Sequence, residues 1–199
     1  MSSDVSRETW ERLEHFHRLL LKWSSRINLI SPRDFDSVAE RHIADCVQYL
    51  PRIPLDVEDV TDIGSGGGLP GLVIAIGRPD IHVTLIESDV RKCAFLRSAA
   101  RELSVRCDVV TARIEEAAPM RSSVVTARAL APLAKLLPYV SRHMAMNGRF
   151  LAQKGRRWRE EVSAALEIWT FDYEMHQSVT EDGAALLEIT NISEKSHAR

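Results

Sequence analysis

The sequence predicts an α/β fold: a seven-stranded, mainly parallel sheet ending in an antiparallel hairpin, preceded by an N-terminal helical extension. Three observations predict it. From residue 57 onward, short β-prone runs alternate with longer stretches of helical periodicity, as in a parallel sheet covered on both faces. The last two β-prone runs have no helix between them, and Glu181-Asp182-Gly183 stands in their short connection, so they form a hairpin. The first 55 residues carry apolar side chains at helical spacing only.

Taken in order, Trp10, Leu13, Phe16, Leu19, Leu20 and Trp23 recur at helical intervals between charges, which predicts a helix over 6–23. Residues 25–30 (SRINLI) connect it to a second helix. Ser31-Pro32 supplies an N-cap followed by proline at the first helical position. That helix should run to about Leu50, where Pro51 and Pro54 end it. Strands are predicted over 57–63, 81–87, 105–111, 123–127, 148–153, 169–177 and 184–191. Helices are predicted over 69–77, 89–103, 131–145 and 155–167. Ser88 is placed as the cap of the second of these, with Asp89 in its first turn, and Gly148 at the start of the fifth strand. The chain divides into a helical extension, 1–55, and one compact unit, 56–199. A parallel sheet closed by such a hairpin is the layout of the class I, Rossmann-like methyltransferase fold, and an ordinary dinucleotide domain does not end that way.

Composition sets limits on function. With 45% hydrophobic and 27% charged residues over 199 positions, the chain has apolar surface for a good core. No apolar run reaches the roughly 18 residues of a membrane span, and the polar N-terminus lacks a secretory apolar region. Cys46, Cys93 and Cys107 are odd in number and lack C-x-x-C spacing, so they read as reduced thiols of a cytoplasmic protein, forming neither a disulfide framework nor a metal site. Net charge is -2, but no Asp or Glu occurs from Ala117 to Arg159. The same segment holds Arg121, Arg128, Lys135, Arg142, Arg149, Lys154, Arg156, Arg157 and Arg159. Such a cluster makes a local positive field suited to RNA backbone, unless acids elsewhere in the fold balance it.

The chemistry concentrates at Val60 to Gly71, VTDIGSGGGLPG. A β-prone run stops at glycines, and Leu69-Pro70 opens a helix, giving the strand–loop–helix of a nucleotide-type cofactor site. The loop fits two registers. Gly66-x-Gly68-x-x-Gly71 is a dinucleotide fingerprint, whereas Asp62-x-Gly64-x-Gly66-x-Gly68 is the acidic-first pattern of methyltransferases that use S-adenosylmethionine. Glu87 ends the second strand, where a carboxylate can accept both ribose hydroxyls of either cofactor. Asp62 favours the sulfonium cofactor, since a carboxylate repels a pyrophosphate; the alternative is a carboxylate that caps the loop's own N–H groups. Ile114 and Glu115 follow the third strand, where an adenine ring can pack on the one and be read by the other. Arg128 ends the fourth strand, where a guanidinium can hold a phosphate, a base or a cofactor carboxylate.

NLIS (28–31), AERHIADC (39–46), DIGSGGGLPG, KCAFL (92–96), TARA (126–129) and LAQKG (151–155) occur in that order. Over residues 10 to 160 the chain resembles the RsmG/GidB family, which methylates guanine N7 in bacterial 16S ribosomal RNA. It departs at Ala127-Arg128-Ala129, where the family often has Ser-Arg-Ala, and at Gln153-Lys154-Gly155, where it has Met-Lys-Gly. The resemblance implies S-adenosylmethionine contacts at Gly64, Leu69, Ile114-Glu115 and Arg128, beside the loop's Asp62, Gly66 and Glu87. It places Arg41, His42, Asp45 and Lys154 around the RNA entrance, and Arg156 and Arg157 extend the basic segment. It implies nucleotide 527 of 16S rRNA, naked or in the small ribosomal subunit, as substrate; separately, the chain is expected to be a monomer without membrane contact. The reaction needs no general base, because N7 has a free lone pair; Arg128 is the one residue assigned to the chemistry. Three other readings remain at this point: an NAD-dependent oxidoreductase, a non-enzymatic RNA-binding or ribosome-assembly protein, and a methyltransferase acting on tRNA, a protein or a small molecule.

Overall fold

The computed structural model describes residues 6–30 and 42–195. The Ser31-Pro32 helix start and Arg41 lie outside the described residues. Seven strands follow the alternation: β1 (Asp59–Ile63), β2 (His82–Glu87), β3 (Cys107–Thr111), β4 (Ser122–Arg128), β5 (Met144–Lys154), β6 (Trp169–Gln177) and β7 (Ala185–Glu194). They form one sheet in the order β3-β2-β1-β4-β5-β7-β6. The first five strands are parallel, and β7 enters antiparallel between β5 and β6. Burial follows position. The central strands β1 and β4 are almost continuously buried, as strands covered on both faces must be, whereas the outermost β3 and β6 are largely exposed.

Helices α1 (Arg7–Ser24), α2 (Ala44–Val47), α3 (Gly71–Gly77) and α4 (Val90–Glu102) share one apolar core against one face of the sheet; α5 (Leu133–His143) and α6 (Trp158–Ile168) share a second on the other. The predicted stripe of α1 buries Leu13, Phe16, Leu19 and Leu20, Trp23 meets Phe95 of α4 at 5.6 Å between ring centroids, and Arg12 donates to the Leu103 carbonyl at the α4 C-terminus. The extension is therefore packed into the core of the sheet domain.

Most differences from the sequence reading are at element ends. Among the described residues, the α-helical part of the predicted second helix is Ala44–Val47, and Pro51 lies inside a following 3-10 turn, Leu50–Arg52. Asp89, not Ser88, caps α4: its carboxylate accepts the N–H groups of Arg91 and Lys92, because an Asx side chain next to the first turn reaches both. Strand β5 begins at Met144, four residues before Gly148. A register shift opposite Ser122 and Val124 puts Gly148 in a bulge, where a Cβ would meet Met144 at 2.5 Å and the Ser123 carbonyl at 3.0 Å.

Candidate functional site

In open α/β sheets ligands bind outside the carboxyl ends of the strands, and β1, β2 and β4 deliver the predicted residues to that edge. After β1 the chain turns through Gly64 and Gly66 with φ of +68° and +54°, values that side chains with a Cβ rarely adopt. The turn is tied to β2: Gly64 and Ser65 donate to the Ile86 carbonyl at 2.9 and 3.1 Å, and Gly66 donates to Glu87 Oε2 at 2.9 Å. Glu87 Oε1 also accepts the Asp89 N–H at 2.8 Å, so the carboxylate is fixed at the wall and retains acceptor capacity for a ligand hydroxyl.

A cavity of about 620 Å³ opens over this loop. Of the predicted residues, Gly64, Gly66, Leu69, Glu87, Ile114, Glu115, Arg128 and His42 all line it. His143 donates from Nε2 to the Ile114 carbonyl at 2.8 Å and pins that corner to α5; burial holds its imidazole below the usual histidine range. The sequence reading did not single out Leu29, Ile30, Lys92, Leu130 and Tyr139, which complete the walls. The NLI motif was a signal for the first two; Tyr139 is one apolar position among many on α5 and carried none. A larger cavity, about 1170 Å³, lies between α1, the 3-10 turn and the hairpin connection and contains none of the predicted site residues.

Asp62 is not at the cavity wall. It is 1% exposed beneath the loop, accepting from Thr126 Oγ1 at 2.8 Å and from the Gly71 N–H at 3.3 Å. The geometry is that of a carboxylate capping the loop, not of one facing a cofactor ammonium. Burial pushes its pKa up to about 7, against the lowering effect of the bonds from Thr126, Ser65 and Gly71. The unfolded value is near 3.8. A carboxyl raised in the folded state stabilises the fold fully below its unfolded pKa, and that contribution is lost as pH rises through the folded pKa. Asp62→Asn removes the group, so its melting temperature should gain on the wild type between about pH 4 and pH 7. Parallel melting curves for the two proteins would contradict this.

Arg128 leaves β4 beside the loop, since Asp62 pairs with Thr126 in register. Its Nη2 donates to Asp45 Oδ2 at 3.2 Å and to His42 Nδ1. A guanidinium has no acceptor, so His42 Nδ1 accepts and its ring proton sits on Nε2. Buried Tyr49 holds the same edge: its hydroxyl donates to the Ala127 carbonyl at 3.1 Å and accepts the Gln153 N–H at 3.0 Å. Burial pushes the nearby Cys46 thiol up to about 12, which keeps it protonated and inert.

Five of the nine cations of the acid-free segment meet acidic partners in three dimensions. Arg128 pairs with Asp45, Arg149 with Glu188, Lys154 with Glu161, Arg156 with Glu181 and Arg157 with Glu160. Arg142 donates to the Ala117 carbonyl, and Arg159 stacks over Trp158 at 4.4 Å. Acids thus balance part of the run, between the two readings of it. Lys154, expected at an RNA entrance, is 7% exposed and donates to the Ala131 carbonyl at 2.6 Å as well as to Glu161 at 2.9 Å, tying the connection after β4 to α6. Arg156 and Arg157 are exposed but do not line the cavity. Lys154→Ala should lower stability by about 1–3 kcal/mol, discounted for the part-exposed Glu161 left behind. The salt dependence of RNA binding should not change. An unaltered urea midpoint with a shallower salt slope would contradict both. Among the described residues, Glu174, His176 and Glu188 bring possible metal-ligating atoms within 4.8 Å of one another, but Glu188 is already engaged by Arg149.

Comparison with known proteins agrees with this architecture. The family model described as rRNA small subunit methyltransferase G (GidB) matches residues 9–190. A ribosomal RNA small subunit methyltransferase G from Ruegeria sp. is 47% identical over 193 residues, covering 95% of this chain and 94% of the relative. The protein of the same name from Paracoccus denitrificans is 47% identical over 189 residues, covering 94% and 97%. Among solved structures, M. jannaschii TYW2 in complex with AdoMet matches with a TM-score of 0.55 at 15% identity, covering 86% of this chain and 80% of that one. The ribosomal protein L11 methylase of Lactobacillus delbrueckii subsp. bulgaricus matches at 0.59 and 14%, covering 81% and 79%. At these identities the structures share the fold.

Proposed function

We infer that this chain, which belongs to the rRNA small subunit methyltransferase G family, transfers the methyl group of S-adenosylmethionine to N7 of a guanine in 16S rRNA, nucleotide 527. The observation that carries the reading is the single cavity at the strand edge that gathers the glycine turn, Glu87, Ile114-Glu115 and Arg128. Glu87 accepts the ribose hydroxyls, Ile114 packs on the adenine and Glu115 reads its amine. Gly64 and Gly66, where no Cβ obstructs the backbone, would hold the methionine tail, with Leu69 beside it. Arg128, on the strand end next to Gly64, holds the tail's carboxylate through a charge-assisted pair.

Methyl transfer proceeds by in-line attack. Bound S-adenosylmethionine would supply an electrophilic methyl group: an N7–C bond would form as the C–S bond breaks with its electron pair going to sulfur, leaving a neutral thioether and a cationic base. N7 carries no proton at neutral pH, so the site needs no general base. Its work is to hold the two reactants in line at contact distance, which is worth up to roughly 7–11 kcal/mol for well-oriented pairs. A guanidinium directed at N7 would oppose the developing positive charge; the Asp45 carboxylate instead draws Arg128 to the wall.

The fold neighbour that carries AdoMet supports the cofactor assignment. Two measurements test the reading. Calorimetry should give saturable binding of S-adenosylmethionine and none of NAD; the reverse would make the chain an oxidoreductase, and no binding of either would leave an RNA-binding protein. Mass spectrometry of 16S rRNA from cells lacking the gene should find the N7-methylguanosine absent, and its full retention would refute the reading.

A further inference from the structure

Asp45 is a carboxylate that the local structure does not require. It sits in the first turn of a four-residue helix, yet it is 5% exposed, and a buried carboxylate is costly unless its oxygens are engaged. Gln48 Nε2 makes a long local contact with its Oδ1 at 3.5 Å, and its other partners come from far along the chain. Oδ2 accepts from Arg128 at the end of β4, in a pair whose side chains are 16% and 7% exposed. Oδ1 accepts the hydroxyl of Thr180, in the connection between β6 and β7. A second contact runs beside it: Gln48, also in the α2 segment, accepts the Val179 N–H at 3.0 Å. Ser178 fixes the connection itself, its hydroxyl accepting the N–H groups of Thr180 and Glu181 at 3.3 Å.

These bonds form a relay into the cavity. The α2 segment is held to the hairpin connection at two points, and Asp45 carries that constraint to Arg128. Both side-chain bonds of Arg128 among the described residues use Nη2. Both bidentate edges of a guanidinium, Nη1/Nη2 and Nε/Nη2, contain Nη2, so the grip on this nitrogen sets the plane of the group and the direction in which its remaining N–H groups point. A lysine-like swinging cation would lack this orientation; a guanidinium clamped on one nitrogen has it.

We propose that Asp45 is the positioning residue of the Arg128 guanidinium and that Thr180 holds Asp45 in turn, so that the connection of the terminal hairpin belongs to the methyl-transfer site although none of its residues lines the cavity. The proposal rests on the reading of Arg128 as a cofactor ligand. It assigns a role to the β6–β7 connection, which is otherwise a surface turn.

The test is a double-mutant cycle in the full-length protein, reading S-adenosylmethionine affinity by calorimetry, kcat/KM for rRNA methylation and the melting temperature. Asp45→Asn should weaken cofactor binding and lower kcat/KM, each by about tenfold or more. In an Arg128→Ala background it should add nothing, because the group it orients is gone. Thr180→Val should change the same two quantities in the same direction by a smaller factor, and it serves where Asp45→Asn folds poorly. An Asp45→Asn loss that persists undiminished beside Arg128→Ala, or wild-type affinity and rate in both Asp45→Asn and Thr180→Val, would overturn the positioning role. Wild-type behaviour of Arg128→Ala alone would instead sink the assignment of Arg128 and take the relay with it.

Discussion

Arg128→Ala is expected to lower kcat/KM for rRNA methylation about 100-fold or more, with a matching loss of S-adenosylmethionine affinity and a melting temperature lower by a few degrees, since the buried Asp45 loses its cation. The magnitude follows from losing a preorganised charge-assisted ligand in a largely buried site. Arg128 has little packing of its own to lose: it is held by Asp45 and His42, and neither is a core hydrophobe. Its removal leaves the buried Asp45 carboxylate without its cation, a cost that the remaining bond from Thr180 offsets only in part, so activity is compared at a temperature where both proteins are folded. Arg128→Lys should recover only part of the activity, because an ammonium cannot meet Asp45 and a carboxylate with one planar fork. Methylation at the wild-type rate by Arg128→Ala would remove the arginine from the mechanism.

Gly71→Ala is expected to have the largest effect on stability. A Cβ at Gly71 would lie 2.2 Å from Leu85 Cδ2, 2.8 Å from Asp62 Oδ2 and 3.0 Å from Asp62 Cβ. Leu85 is fully buried and Asp62 is fixed by Thr126, so neither can withdraw cheaply. Alanine gains about 1 kcal/mol in helix propensity, but overpacking of this severity costs about 3 kcal/mol or more. The net loss should lower the melting temperature by about 4–10 °C in a chain of this size. Gly155, where a Cβ would meet nothing within 4 Å, is the control: Gly155→Ala should be near neutral. Equal melting temperatures for the two variants would contradict the account. The same contact explains the GxGxxG match that ends at Gly71: this glycine serves the approach of α3 to β1 and β2.

The fold was legible because it is written in periodicity, and burial on both faces of a parallel sheet leaves few ways to arrange alternating strands and helices. The terminal hairpin was legible from the missing helix between Gln177 and Ala185. Element ends were not, because caps compete locally: Ser88 and Asp89 both suit an N-cap, and only geometry shows that Asp89 reaches Arg91 and Lys92. At the site, Gly64, Glu87, Ile114 and Arg128 were readable as residues at strand ends, which the sheet brings to one edge. Asp62 was misplaced by proximity in sequence. A side chain that ends a buried strand alternates between faces, and this one faces the helix. The charge of the basic run from 117 to 159 was legible only in part, for a different reason. Charge counted along a chain ignores Asp45, Glu161, Glu181 and Glu188, which the fold carries to it from elsewhere. Thr180 carried no signal at all, since its role arises only from a contact with Asp45 across the fold.

The central claim is methyl transfer from S-adenosylmethionine, held in the cavity over the glycine turn, to guanine N7. Purified protein should be incubated with methyl-deuterated S-adenosylmethionine and 16S rRNA, free or in small subunits, and the RNA digested and sequenced by mass spectrometry. One trideuteromethyl group on N7 of guanine 527, strongly diminished with Arg128→Ala, is the predicted result. A label on any other position, or none from a protein that binds the cofactor, would contradict it.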